Sequence, residues 1–219
     1  MSLPNTSELF DIQGDILTDG LFYNGAPPHV ALASLKRHIL SLIPQLGDDY
    51  VTDAAGLAIA KDAVIEEGAY IHPPAIIGHG VTLRHGAYIR GNVIVCGGAT
   101  VGNSCEVKGS VILHGASLAH YNYVGDSVIG CYAHLGAGAT VSNLRLDQKS
   151  VKLRYCEEVT DTGLRKLGAM IGDGAQIGCG TVLMPGTVVG KDAIVYPMLA
   201  VRGCIPGGAK VRRGTEWVL

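Results

Sequence analysis

Aromatic residues make up only 5% of this 219-residue chain and charged residues only 16%, with a formal net charge of −2. The first shortage excludes a core built on Phe and Trp. The second excludes a broad electrostatic grip on nucleic acid or an anionic membrane. No apolar run approaches the ~18 residues of a membrane-spanning helix. The opening stretch "MSLPNTSELF" lacks the basic and apolar regions of a secretory signal. The expectation is a soluble, cytoplasmic protein with no nucleic-acid or membrane partner. Cysteines stand at 96, 105, 131, 156, 179 and 204, with no C-x-x-C among them. That spacing fits free thiols at small-residue positions rather than a zinc site or a disulfide set. What the chain has in quantity is glycine, 31 residues, and aliphatic side chains.

The aliphatics are periodic. Ile59, Ile65, Ile71, Ile77, Leu83, Ile89, Val95, Val101 and Val107 follow one another at intervals of six, and Ile171, Ile177, Leu183, Val189, Val195 and Val201 repeat the spacing. Gly, Ala or a small polar residue recurs between successive aliphatics. A period of six with inward aliphatics and Gly-permitted corners predicts an all-β fold, the left-handed parallel β-helix. Each hexad supplies one flat strand and three hexads close one triangular coil.

Two segments depart from the period. Residues 1–57 form a predicted cap segment, in which "PPHVALASLKRHILSLIPQL" places Leu32, Leu35, Ile39 and Leu42/Ile43 on one helical face with Pro28 suited to its first turn. The expected place for this helix is over the open N-terminal end of the solenoid formed by 58–219. The second departure is a charged excursion over 142–170, whose KLRYC portion suggests a small hairpin. Long loops on rigid scaffolds tend to carry function.

The repeat also slips. From Val107 the aliphatics run to Ile112, Leu118, Val124, Ile129, Leu135 and Val141, and two of those steps are five residues. His120, Tyr121, Asn122 and Tyr123 lie between the two short steps. A His in a solenoid turn is by itself more often a packing or surface residue. Its company argues otherwise. Arg90 and Lys108 are eighteen residues apart, hence one coil apart on one face, where they form a cationic ladder suited to phosphate. A metal reading fares worse. Carbonic anhydrases on this kind of solenoid hold zinc with three His, two of them in an H-x-x-x-x-H spacing. Here His72, His79, His85, His114, His120 and His134 include no pair five apart, so no metal is expected.

The stretches "HYNYVGDSVIG", "LGAGATVSNLRLDQKSVK" and "GLRKLGAMIGDG" resemble the acetyltransferase half of bifunctional sugar-1-phosphate nucleotidylyltransferases, closest to the archaeal-type branch. The resemblance runs from about Arg90 to about Val201. It implies that His120 is the catalytic His, with Tyr123 and Asn143 beside it. It further implies that Arg90 and Lys108 bind phosphate, that Lys149 and Lys152 are loop lysines of the site, and that the protein is a homotrimer with sites between subunits. The sequence departs from bacterial members, which have Asn where His134 stands and Ser where Cys179 stands. Residues 1–57 hold no Gly-rich nucleotide loop, so no nucleotidyl transfer is expected of them.

The chemistry expected is N-acetylation of an amino-sugar-1-phosphate by acetyl-CoA, with glucosamine or galactosamine as the sugar. An imidazole, titrating near about 6.5 when unperturbed, suits the removal of a proton from the amine. Backbone N–H groups around Gly136, Ala137 and Gly138 would hold the thioester oxyanion. The competing expectation is a non-catalytic solenoid that binds sugar phosphate beside a separate nucleotidylyltransferase.

Overall fold

Each hexad forms one short strand, and the strands stack in three parallel walls. The computed structural model describes residues 4–12, 14–23, 25–155, 158–213 and 216–218, of which Arg213 and 216–218 are described by backbone alone. The architecture is a left-handed parallel β-helix of about eight turns. The first wall contains Leu57–Ala60, Ala75–Ile77, Val93–Val95, Val111–Ile112, Val128–Ile129, Ala169–Ile171, Thr187–Val189 and Cys204–Ile205. The second runs from Val64–Ile65 through Thr100–Asn103, Ser117–His120 and His134–Leu135 to Lys210–Arg213. The third runs from Tyr70–Ile71 through Tyr88–Ile89, Glu106–Lys108, Tyr123–Gly125 and Thr140–Val141 to Ala200–Val201.

Register keeps the period-six aliphatics one above another. Ile77 pairs with Val95, Leu83 with Val101 and Ile89 with Val107, and the columns continue down the stack. From the second coil onward these side chains are essentially unexposed. Each contributes about 1.5–3 kcal/mol by leaving water, as an upper estimate. The first coil is less well covered: Val64 is 53% and Ile65 37% exposed.

The N-terminal helices lie elsewhere than the sequence suggests. Helix α1 spans Thr6–Leu9 and helix α2 spans His29–Leu42, with Pro28 at the N-cap rather than within the first turn. Instead of closing the open end, α2 packs on the outer face of the first wall. Leu35, Ile39 and Leu42 join Leu9, Phe10 and Leu17 in a second core against Ala58, Ile76, Ile94, Val111, Val128 and Met170. The reason is visible in the strands of that wall, where the inward aliphatic is preceded by a second apolar residue. Ile76–Ile77, Ile94–Val95 and Val111–Ile112 therefore need cover on both faces.

The excursion leaves the third wall at Asn143 and returns to the first at Ala169. Its Val151, Leu153 and Leu167 are buried in the same second core. Lys152–Tyr155 pairs antiparallel with Glu158–Asp161, so the hairpin expected from KLRYC is present; Cys156 lies outside the described residues. No helix among the described residues is long and apolar enough to cross a membrane.

Candidate active site

Both five-residue steps fall at the corner between the third and first walls, and both are built on a buried serine. Ser110 Oγ donates to the Lys108 carbonyl and accepts the N–H of Ser127. Ser127 Oγ donates to the Gly125 carbonyl and accepts the N–H of Ala169. Each hydroxyl thus stands in for the backbone group that the missing residue would have supplied. The tightened corner turns through Gly109 and Asp126, both at positive φ. A Cβ on Gly109 would stand 2.6 Å from the Asp126 carboxylate, so glycine makes room for that acid.

Asp126 is consequently delivered onto the third wall. Its two oxygens accept Lys108 Nζ at 3.1 and 3.2 Å, and one also accepts Asn143 Nδ2 at 2.5 Å. Asn143 is nearly buried at 8% exposure and shares a side-chain hydrogen bond with Tyr123. Tyr123 leans across Gly125 to reach it, and a Cβ there would strike both side chains. Burial, followed by the charge of Asp126, raises the Tyr123 pKa. Its hydroxyl is therefore a proton donor at neutral pH. One coil away, Arg90 donates to Glu106 at 2.5 Å. The two cations lie on one face as the spacing predicts, yet each has its own acid. The ladder is two ion pairs, with most of the Arg90 N–H groups still available.

His120 ends a strand at the corner between the second and third walls, three residues before Tyr123. Its imidazole is exposed and has no hydrogen bond among the described residues. Gly138 N–H donates to the His120 carbonyl, Gly180 N–H to that of Ala137 and Met198 N–H to that of Cys179. These contacts stack His120, Ala137 and Cys179 on three successive coils. The oxyanion expectation narrows here. Gly136 N–H donates to Ile177 and Gly138 N–H to His120, so both are committed to the solenoid. Of the three, only Ala137 has an N–H without a carbonyl partner among the described residues.

Tyr121, next to His120, adopts positive φ and is 66% exposed. Asn122 turns inward. Its Nδ2 donates to the carbonyls of Gly136 and Ala139, its N–H donates to Cys105 Sγ, and Cys105 donates back to its Oδ1. This buried amide fixes the corner from which His120 projects.

The structure thus brings Tyr123, Asn143 and Lys108 together, with Arg90 on the adjacent coil and His120 at the near edge of the same wall. Lys149 and Lys152 are exposed on the excursion and make no ion pair among the described residues. Asp126, Glu106 and Asn122 were missed by the sequence reading, although Asp126 stands in the quoted "YVGD" and ends the coil that slips. Among the described residues no three His, Cys, Asp or Glu side chains converge as a metal site requires. A cavity of about 850 Å³ lies on another corner, between Asp11, Asp15 and Leu17 on one side and Asp173, His114 and Tyr132 on the other. It touches none of the residues above.

Residues 73–162 match the family model described as the GMPPB C-terminal domain. A bifunctional sugar-1-phosphate nucleotidylyltransferase/acetyltransferase of Sulfurisphaera tokodaii is 40% identical over 85 residues, 39% of this chain and 21% of that protein. The bifunctional protein GlmU of Methanococcus maripaludis is 37% identical over 107 residues, 49% of this chain and 26% of the relative. Over these stretches the chain is similar to parts of these bifunctional proteins. It spans about a quarter or less of their length. Among solved structures, the UDP-N-acetylglucosamine O-acyltransferase LpxA of Moraxella catarrhalis aligns at 15% identity and a TM-score of 0.45, over 68% of this chain and 65% of that one.

Proposed function

We infer that the protein transfers an acetyl group from acetyl-CoA to the amine of an amino-sugar-1-phosphate of the glucosamine or galactosamine type. The observation that carries this reading is the pairing of an exposed imidazole, without a hydrogen bond among the described residues, with a half-buried Tyr123–Asn143–Asp126–Lys108 network on the adjoining wall. A scaffold would have no need of such a network. The two relatives above also bear names that include acetyl transfer or bifunctionality.

In the mechanism, the amine nitrogen attacks the thioester carbonyl carbon. The C–N bond forms as the C–S bond breaks, and the electron pair leaves on sulfur. His120 takes the proton that the nitrogen must lose and passes it to the departing thiolate, so CoA leaves as the free thiol. General-base assistance of this kind is typically worth 10²–10⁴-fold. Ala137 N–H faces the developing oxyanion. Tyr123 and Asn143 orient the sugar, while Arg90 and Lys108 hold its phosphate. Six cysteines notwithstanding, no acyl-enzyme is required, because an amine is itself a competent nucleophile.

A homotrimer with sites between subunits completes the proposal. It draws support from the exposure of His120, from Lys149 and Lys152, and from Leu146, which lies fully exposed between them and Asn143. In that arrangement the excursion of one subunit closes over the wall of the next.

The test is identification of the product. Incubation with acetyl-CoA and either amino-sugar phosphate yields the N-acetyl sugar by NMR. Tight binding of both sugars without product would instead support the binding-module reading.

Two further outcomes are expected. Asp126 acts as a positioning residue through Lys108 and Asn143. Charge-assisted hydrogen bonds are worth about 1.5–3 kcal/mol, so Asp126→Asn lowers kcat/KM for the sugar phosphate about tenfold or more. Its KM for acetyl-CoA stays unchanged; a rise in both KM values would indicate a general loss of structure. The second concerns Cys179, exposed two coils from His120 on the same corner. Burial pushes the Cys131 thiol up to about 12, and Cys96 and Cys105 are fully enclosed. Iodoacetamide at pH 8 therefore modifies Cys179 and spares those three. Modification abolishes turnover, CoA protects against it, and Cys179→Ser is resistant; peptide mapping and residual activity check each statement.

A further inference from the structure

The third wall continues past the acceptor site with an aromatic pair that the mechanism leaves unused. Moving toward the N-terminal end, the positions in register with Tyr123 are Glu106, Tyr88 and Tyr70. Tyr88 is 39% exposed and Tyr70 60% exposed, in a chain with few aromatics of any kind. Their ring centroids are 5.8 Å apart at an interplanar angle of 57°. The Arg90 guanidinium sits 6.0 Å from the Tyr88 ring centroid while bonded to Glu106.

We propose that Tyr88 and Tyr70 form a stacking platform for a nucleobase. The acceptor then extends beyond its first phosphate to a nucleoside diphosphate carrying the amino sugar. The proposal rests on the acetyl-transfer reading for the sugar end and names a larger substrate class for that same site. Neighbouring strands are about 4.8 Å apart, so the two steps from Tyr123 to Tyr88 cover about 10 Å. Arg90 and Lys108 lie within that interval on the adjacent column. Sugar site, cationic side chains and aromatic pair thus follow one another in the order of sugar, diphosphate and base. A bare sugar phosphate would leave the last of them idle.

Coenzyme A also contains an adenosine diphosphate. Its reacting end, however, belongs at the His120–Ala137–Cys179 corner, which runs away from Tyr88 along the stack. The platform is therefore assigned to the acceptor, and the experiment separates the two sources.

Calorimetric titrations with UDP, GDP, UDP-glucosamine, glucosamine-1-phosphate and CoA would be made on the full chain, on Tyr88→Leu and on Tyr88→Trp. Base–aromatic stacking predicts that Tyr88→Leu weakens UDP-glucosamine and at least one of the free nucleotides by roughly 5- to 150-fold. Glucosamine-1-phosphate binding stays within about twofold, which also shows that the variant is folded. Tyr88→Trp retains the nucleotide affinity. Unchanged UDP-glucosamine and nucleotide binding in Tyr88→Leu would overturn the proposal, as would equal weakening of glucosamine-1-phosphate or a loss confined to CoA. Tyr88-dependent nucleotide binding by a chain that transfers no acetyl group would sustain the platform and remove the acetyl-transfer reading.

Discussion

Replacing His120 by alanine lowers acetyl transfer by about 10²–10⁴-fold, the range spanned by removal of a general base. The imidazole has no competing partner among the described residues and stands exposed at a corner. Its loss therefore subtracts a proton acceptor without unmaking a contact of the fold. Affinity for CoA and thermal stability should remain close to those of the parent, and both are measured alongside turnover. At raised pH, where a larger fraction of the amine is already deprotonated, the deficit should shrink. A variant that keeps full activity would mean that the amine finds its base elsewhere. The half-buried ring of His134, on the neighbouring coil, would then be the next side chain to replace.

Asn122→Ala lowers stability by about 3 kcal/mol, through the loss of hydrogen-bonding partners in a dry corner. Asn122 is 2% exposed and bridges three coils, with bonds to Gly136, Ala139 and Cys105. Alanine occupies equivalent inward corners at Ala87 and Ala139, so the replacement fits sterically and the cost is polar. Ala139 N–H also reaches the Gly136 carbonyl, and that residual bond keeps the cost below the sum of all the bonds removed. For a chain of this size the expected fall in Tm is about 6–12 °C. Scanning calorimetry reads it directly. A shift under about 2 °C would show that water or local movement satisfies the freed carbonyls. Because the same corner holds His120, Asn122→Ala should also reduce kcat at temperatures where it remains folded.

The solenoid was legible because one rule, an inward aliphatic every six residues, governs both the sequence and the packing. The flank was not, although its signal was present. Wherever the first wall recurs, a second apolar residue precedes the inward one, as in Ile76–Ile77, Val128–Ile129 and Met170–Ile171. Reading only the sixth positions hides this doubling, and the helix was consequently assigned to the open end. In the site, Tyr123, Asn143 and Lys108 could be found by motif and spacing. Asp126 could not, because its role depends on a corner tightened through Ser110 and Ser127. The same limitation applies to Gly136 and Gly138, whose N–H groups are consumed by neighbouring coils that no local pattern reveals.

The most direct measurement is thiol release from acetyl-CoA by the purified chain, with glucosamine-1-phosphate or galactosamine-1-phosphate as acceptor. The account predicts release that requires one of these sugars, saturates with it, and falls by at least about 10²-fold in His120→Ala. Sugar binding without any release of thiol would contradict it and leave a sugar-phosphate-binding solenoid in its place.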